Sequence, residues 1–243
     1  MRKYGLIGRN IDYSFSKNHF AKKFKKEKLD CEYTNFDLKS ISEFPQLLKD
    51  NPKIKGLNVT IPYKKAIIPF LDSLSRKAEK IGAVNTIKIT NKGQLKGYNT
   101  DYYGFKESIT PLLKKYHKKA LILGAGGASR AIIFALTKLG IHTTIVSRSK
   151  NIYIDFTYNE LTNEIIDEHL IIINCTPLGT FPNVEECPDI PYNAISKKHI
   201  LYDLVYNPPL SSFLTRGKLK EATICNGEKM LRLQAEKSWQ IWN

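Results

Sequence analysis

The chain has 243 residues, 42% hydrophobic and 25% charged, the balance of an ordinary globular protein of one large or two modest domains. No apolar run approaches the ~18–20 residues of a bilayer-spanning helix, and the N-terminal "MRKYGLIGRN" is too short in apolar residues for a secretory signal. A cytoplasmic protein with no membrane partner is expected. The formal net charge of +15 raises a nucleic-acid reading, but the lysines of Lys22–Lys28 and Lys114–Lys119 alternate with Phe24 and Tyr116 as solvated helix faces do, and no nucleic-acid partner is expected.

The first hundred residues alternate short strand-like and helix-like pieces. Residues 4–7, 33–37 and 56–60 read as strands, and residues 18–28, 41–49 and 75–81 as helices. Residues 84–90 and 94–98 read as a hairpin across "NKG", where glycine permits a positive φ. In "NVTIPYKKA", Asn58 and Thr60 sit two apart and would share one strand face. Pro62 suits the first position of a short helix, which would put Lys64 in the opening turn, an unfavourable place for a cation.

A second alternation follows residues 111–119. Residues 120–123 read as a strand, 128–139 as a helix closed by Gly140, and 143–146 as a strand. Further strands are predicted at 170–174, 199–204 and 223–225, with a final helix over 228–239. This pattern argues for α/β architecture in two domains. The first takes residues 1–100 with the C-terminal helix 228–243, and the second residues 101–227, with a bridging helix near Asp101–Ser108. Cys31, Cys175, Cys187 and Cys225 form no CxxC pair and the five histidines no HxH or HExxH, so neither a metal site nor a disulfide framework is expected.

The stretch "ALILGAGGASRAIIFALTKLG" carries the clearest chemistry. An apolar strand ends in Gly124, Ala125, Gly126, Gly127 and Ala128, and a helix begins at once with Ile132, Ala135, Leu136 and Leu139 on one face. Glycines let the backbone approach a pyrophosphate, whose charge suits the exposed N–H groups of a helix start. The third glycine of GxGxxG is Ser129 here. The following strand ends in Ser147, Arg148 and Ser149 with no carboxylate for a ribose 2′-hydroxyl, which favours a 2′-phosphate and hence NADP(H).

Three further segments offer small polar or charged side chains: "YSFS", in which Ser14 and Ser16 would share a strand face, "GAVNT" with Asn85, and "GYNTD" ending in Asp101 at a helix start. Together with "NVTIPYK", "GAGGASRA", "SRS", "DLVYNP" and "NGEKMLRLQ", in this order and over nearly the whole chain, they make the sequence closely resemble the shikimate dehydrogenase family.

The resemblance implies an N-terminal α/β substrate domain with a mostly parallel sheet, completed by the last helix, and a Rossmann-type NADP-binding domain, joined by helices around a cleft. It implies reversible NADPH-dependent reduction of 3-dehydroshikimate to shikimate, a small-molecule substrate, by a monomer or homodimer. Lys64 and Asp101 match the family's catalytic pair. Ser14 and Ser16 match the residues that hold the substrate carboxylate, and Asn58, Thr60, Asn85 and Gln234 those that bind ring hydroxyls. Gly124, Ala125, Gly126, Gly127 and Ala128 match the phosphate loop, and Ser147, Arg148 and Ser149 the 2′-phosphate site. Tyr206, Gly227 and Met230 match positions where substrate and nicotinamide meet.

The chain departs from the family pattern at Asn10, Tyr13, Lys17 and Phe20 around the serines, at Thr180 after "PLG", and at Lys229 in "NGEKM". Rival readings are an NAD-preferring quinate/shikimate dehydrogenase, a methylene-tetrahydrofolate dehydrogenase, which has no use for the serine pair, and a non-catalytic NADP(H) sensor.

Overall fold

A computed structural model describes residues 1–11 and 14–243. The chain divides into two compact units, Met1–Asp101 with Gln234–Asn243, and Tyr102–Leu233. The sequence reading gave the whole last helix to the first domain; by internal contacts its first six residues group with the second unit.

The first unit is built on a six-stranded sheet. Its strands are β1 (Arg2–Gly8), β2 (Cys31–Asp37), β3 (Ile54–Val59), β4 (Ser73–Leu74), β5 (Thr86–Ile89) and β6 (Leu95–Tyr98), in the order β2-β1-β3-β5-β6-β4. β1 runs parallel to β2 and β3, β4 runs parallel to β6, and β5 is antiparallel to β3 and β6. The β5–β6 hairpin turns at Gly93 with φ +78°, as "NKG" predicts. The other helices of this unit are α1 (Phe15–Lys26), α2 (Phe44–Asp50) and α3 (Arg76–Ile81).

Strand alternation divides the side chains of this unit between two cores. Ile7, Leu57, Val59 and Ile87 pack with Phe44 and Leu47 of α2 and Ala78 of α3. Tyr4 and Leu6 pack on the other face with Phe20 and Phe24 of α1 and with Ala235 and Trp242 near the C-terminus. Phe20, where the family pattern has an asparagine, is fully buried and stacks on Tyr33 at 4.7 Å, so its place is in this aromatic core.

The second unit has a wholly parallel sheet. Its strands are β7 (Lys119–Leu123), β8 (His142–Ser147), β9 (Phe156–Thr157), β10 (Ile171–Asn174), β11 (Ile200–Asp203) and β12 (Thr223–Cys225). The order β12-β11-β10-β7-β8-β9 is, in strand succession, the 3-2-1-4-5-6 arrangement of dinucleotide-binding sheets. Its helices are α5 (Gly127–Lys138), α6 (Asn163–Glu168) and α7 (Ser212–Leu219), with parts of α4 (Asp101–Ile109) and α8 (Glu228–Trp242). One sheet face carries Ala120, Ile122, Ile171, Ile173 and Tyr202 against Phe105, Ile132, Leu136 and Met230. The other carries Leu121, Leu123, Ile172 and Leu201 against Ile166, Phe213 and Leu214. Strands buried on both faces read as continuous apolar runs, which is why "ALIL" and "IIIN" are legible.

Gly56 of β3 is a place where packing demands glycine. A Cβ there would lie 2.3 Å from the Trp242 ring, which is buried, stacks on Tyr4 at 4.9 Å and donates its Nε1–H to Ile87 O at 2.9 Å. Gly56→Ala is expected to destabilise the chain by about 1–3 kcal/mol by displacing that indole. Urea unfolding followed by tryptophan fluorescence measures this, and an unchanged midpoint would refute the packing argument.

Candidate active site

Lys64 lies in a run of turns after β3, not in a helix. The Lys64 carbonyl, which an α-helix would give to Ile68, instead accepts from Val84 N–H at 2.7 Å, while Ile68 N–H bonds Lys65 O three residues back. The predicted conflict between an ammonium and a helix N-terminus is therefore absent. It is Asp101 that opens a helix, α4, where the dipole favours a negative charge.

Lys64 Nζ donates to Asp101 Oδ2 at 2.7 Å, with the side chains 16% and 8% exposed. Asn85 Nδ2 donates to the other carboxylate oxygen, also at 2.7 Å, so both oxygens are fixed. Asn85 is held in turn: its Oδ1 accepts from Thr100 N–H at 2.7 Å, its backbone N–H bonds Tyr98 O, and its carbonyl accepts from Val59 N–H. A partly buried ion pair contributes little net stability after desolvation, so its presence calls for another explanation.

The neighbouring polar groups form one network. Asn58 Oδ1 accepts from Tyr33 Oη at 2.8 Å, and its Nδ2 donates to Ser238 Oγ at 3.0 Å and Asn85 O at 3.2 Å. Thr86 Oγ1 and Ser238 Oγ share a hydrogen bond at 2.7 Å, and Thr100 Oγ1 reaches Gln234 Oε1 at 3.4 Å. Thr60, whose N–H bonds Ile7 O, continues β3 on the Asn58 side by strand alternation.

Ser14 and Ser16 do not share a strand. α1 begins at Phe15, three residues before the predicted start, and Ser14 is its N-cap, accepting from Lys17 N–H at 3.1 Å. Ser14 Oγ donates to Asn35 Oδ1 at 3.0 Å, while Ser16 is buried. The substituted position Lys17 thus supplies the capped N–H; Tyr13 lies outside the described residues.

In the second unit a cavity of about 300 Å³ opens at the carboxyl ends of β7, β8 and β10. It is lined by Gly124, Ala125 and Gly126, by Ser147 and Arg148, by Tyr158, and by the Cys175–Leu178 segment. This is the crevice where strand order reverses in doubly wound sheets. Gly124 has φ +103° and donates its N–H to Val146 O at 2.8 Å, a backbone state glycine adopts without strain. Gly126 N-caps α5, and a Cβ there would meet nothing within 4 Å and would project into open space at the cavity wall. Gly127 and Ala128 form the first turn of α5, where N–H groups lack helical partners. Ser129, in place of the third glycine, is buried with its hydroxyl bonded to Gly126 O at 2.7 Å.

Arg148 is exposed, and the next two carboxylates along the chain are committed to other partners. Asp155 Oδ2 accepts from Ile145 N–H at 2.7 Å, and Glu160 is gripped by Lys150 at 2.8 and 3.0 Å, which pushes its carboxyl well below the usual range. Glycine backbone, helix start and exposed guanidinium together fit a dinucleotide with a 2′-phosphate. Ser149 is exposed and outside the cavity lining.

Other expected ligand positions have structural settings of their own. Met230 is 8% exposed and belongs to the core with Phe105 and Tyr202. Gly227 is buried, and a Cβ there would lie 2.2 Å from Leu204 O. Tyr206 is 38% exposed, its phenol pKa raised by burial of part of the ring. Lys229 is exposed within helical α8 and needs no glycine, and Thr180 is exposed, its N–H closing a turn onto Pro177 O.

The sequence reading assigned no role to Asp203, at the end of β11 within "DLVYNP". It is fully buried without a cation: Oδ1 accepts from Asn174 Nδ2 and Val205 N–H, each at 3.0 Å, and Oδ2 from Ser211 Oγ. Asn174 in turn holds Thr176 of the cavity wall, through Thr176 N–H at 3.0 Å and Oγ1 at 2.6 Å. Burial pushes the Asp203 pKa up from 3.8 to about 6. The folded chain therefore holds this proton more tightly than the unfolded one, a stabilisation complete below about pH 4 and lost as pH rises past about 6. Relative to Asp203→Asn, the wild-type protein should gain about 1 kcal/mol between about pH 7 and pH 5. Parallel urea-stability profiles for the two proteins would contradict this.

Comparison with known proteins agrees with the geometry. Residues 6–87 match the model of the shikimate dehydrogenase substrate binding domain. A shikimate dehydrogenase (NADP(+)) of Methanosphaera stadtmanae is 39% identical over 98% of this chain and 90% of its own, and one of Clostridium botulinum is 39% identical over 98% and 95%. The crystal structure of shikimate dehydrogenase from Aquifex aeolicus superposes with a TM-score of 0.89 at 33% identity, covering 100% of this chain and 92% of that one. The Thermus thermophilus enzyme in complex with NADP(H) and shikimate superposes with a TM-score of 0.88 at 28% identity, covering 100% and 94%. With relatives 39% identical over 98% of the chain, the protein belongs to the shikimate dehydrogenase family.

Proposed function

We propose that this protein is an NADP-dependent oxidoreductase that interconverts 3-dehydroshikimate and shikimate, a step toward chorismate and the aromatic amino acids, with Lys64 and Asp101 as its catalytic pair. The observation that carries the assignment of residues is the Lys64–Asp101 contact at 2.7 Å, held at low exposure by Asn85. The first unit is the substrate domain and the second the NADP-binding domain.

Bound NADPH supplies the hydride. As the ketone carbon accepts it, negative charge develops on the carbonyl oxygen, and Lys64 Nζ stabilises that charge with its remaining N–H groups. Asp101 keeps the ammonium aimed, and Asn85 keeps Asp101 from rotating. Asn58, Thr60, Asn85 and Gln234 supply donors and acceptors of the kind that ring hydroxyls pair with. Ser14, the N-cap of α1, and Ser16, in its first turn, offer hydroxyls at a helix end that favours a carboxylate. In the second domain Gly124, Ala125, Gly126, Gly127 and Ala128 hold the pyrophosphate, and Ser147, Arg148 and Ser149 hold the 2′-phosphate. Tyr206, Gly227 and Met230 support the nicotinamide side, Gly227 and Met230 through packing.

Lys64→Ala should lower kcat by about 10²–10⁴-fold, with NADPH affinity nearly unchanged. Stopped-flow turnover and fluorescence titration test this, and a wild-type kcat would reject the role. Asp101→Asn should lose most activity, and an unaltered pH–rate profile in that variant would reject the pair. Arg148→Ala should raise KM for NADPH much more than for NADH; an equal effect on both cofactors would reject the clamp.

A further inference from the structure

Four of the five histidines lie at the amino end of the second sheet, away from the glycine turn. His117 precedes β7, His142 opens β8, His169 precedes β10 and His199 precedes β11. His117, His169 and His199 are buried, so each of their ring nitrogens needs a partner.

His117 and His199 are built alike. In each, the backbone N–H closes a turn onto the carbonyl three residues back, that of Lys114 at 3.0 Å and of Ser196 at 2.9 Å. The N–H of that same residue returns to the ring Nδ1, at 2.9 Å from Lys114 and 3.0 Å from Ser196. A backbone N–H can only donate, so both Nδ1 atoms are acceptors and carry no proton. The Nε2–H groups then donate to carbonyls of other segments, His117 to Lys198 at 2.9 Å and His199 to Ile166 at 3.1 Å. Ile166 O also accepts from His169 N–H at 3.0 Å, and His169 Nδ1–H donates to Ile165 O at 2.6 Å. His169 Nε2 accepts from Thr144 Oγ1 at 2.7 Å. The bonds run from the turn before β7 to the turn before β11, on to α6, and from there to β8.

A proton on Nδ1 of His117 or His199 would point at the Lys114 or Ser196 N–H and leave that donor without its acceptor. His169 differs, because the Thr144 hydroxyl can turn and accept. Lys114 and Tyr116 of its own turn and His199 of the other face His117; His199 in turn faces His117. Around His169 stand Lys119, Glu168 and His142, the first two joined by an ion pair at 2.6 Å.

We infer that His117 and His199 form an acid-released latch, which ties the turns before β7 and β11 to each other and to α6 at neutral pH and opens them when the rings take up protons. Burial above all, with the charges of Lys114 and His199, holds the His117 pKa below the usual 6.5. Its contribution to stability is therefore complete above about pH 6.5 and is lost as pH falls through the lower folded value.

Amide hydrogen exchange of the wild-type protein reads the latch directly. From about pH 7.5 to pH 5.5, and after correction for intrinsic rates, protection of the Lys114 and Ser196 amides should fall about tenfold more than that of the β7 and β10 amides. Equal changes at all four places would overturn the inference. His117→Asn with His199→Asn keeps an acceptor for each turn, since Asn Oδ1 replaces Nδ1, but removes the titrating ring. The urea midpoint of this double variant should fall less on acidification than that of the wild type, and parallel profiles would overturn the latch. Asp203 titrates in the same way in both proteins and cancels from the comparison. Should the double variant not fold, the wild-type exchange result decides alone.

Discussion

The candidate active site depends on one amide. Asn85 occupies the bend between α3 and β5, its backbone bonded to Tyr98 and Val59, so its side chain has little freedom. From that position it accepts from the Thr100 backbone and donates to the Asp101 carboxylate. Lys64 is then placed from two sides, by its ion pair with Asp101 and by its carbonyl bond to Val84, the residue before Asn85. A flexible ammonium is costly to hold in one geometry, and here sheet hydrogen bonds two residues away carry that cost. The pair is thereby tied through Asn85 to the β3–β5–β6 ladder.

The second unit meets a similar demand with different means. A dinucleotide needs backbone donors and room more than side chains, and the ends of β7 and β8 provide both. Gly124 turns the chain back where a side chain would be strained, Gly126 leaves open space, and α5 begins at once so that its free N–H groups face the same crevice. The opposite wall is positioned indirectly. Asp203 orients Asn174, and Asn174 orients Thr176 and, through its Nδ2, the Leu178 carbonyl. A buried carboxylate on β11 thereby sets the shape of a loop after β10.

What was legible in the sequence follows physical period and composition. The apolar runs of β7 and β10 and the 3.6-residue period of α5 are strong signals, and so is the glycine turn between β7 and α5. The hairpin at Gly93 carries its own turn chemistry. By contrast, β4 and β9 have two residues each and cannot display alternation, and α6 and α7 are too short for a secure period. The serine pair was misplaced on a strand because Ser14 is an N-cap, whose extended backbone resembles one residue of strand. Pro62 suggested a helix that does not form because Val84, some twenty residues on, takes the carbonyl it would need. The motifs named Lys64, Asp101 and Asn85 and contained Thr86 and Thr100 without giving them a role, while Ser238, whose hydroxyl meets both, lies outside every motif. Burial and partnership, which make those residues matter, have no period.

Asp101 and Asp203 show why residue type alone does not assign a role. Both are buried carboxylates at the edge of a candidate ligand site. Asp101 has a cation at 2.7 Å and opens a helix, so its charge is compensated and serves to hold that cation in place. Asp203 has only neutral donors, and burial lifts its pKa toward neutrality, so its charge is a liability that three hydrogen bonds only partly offset. A group that is half inclined to give up its charge is poorly suited to stabilise a reacting centre. It is well suited to hold neutral donors in place, because a carboxyl accepts in either protonation state. The chain accordingly keeps its compensated carboxylate at the lysine and its uncompensated one in the scaffold of the cavity wall.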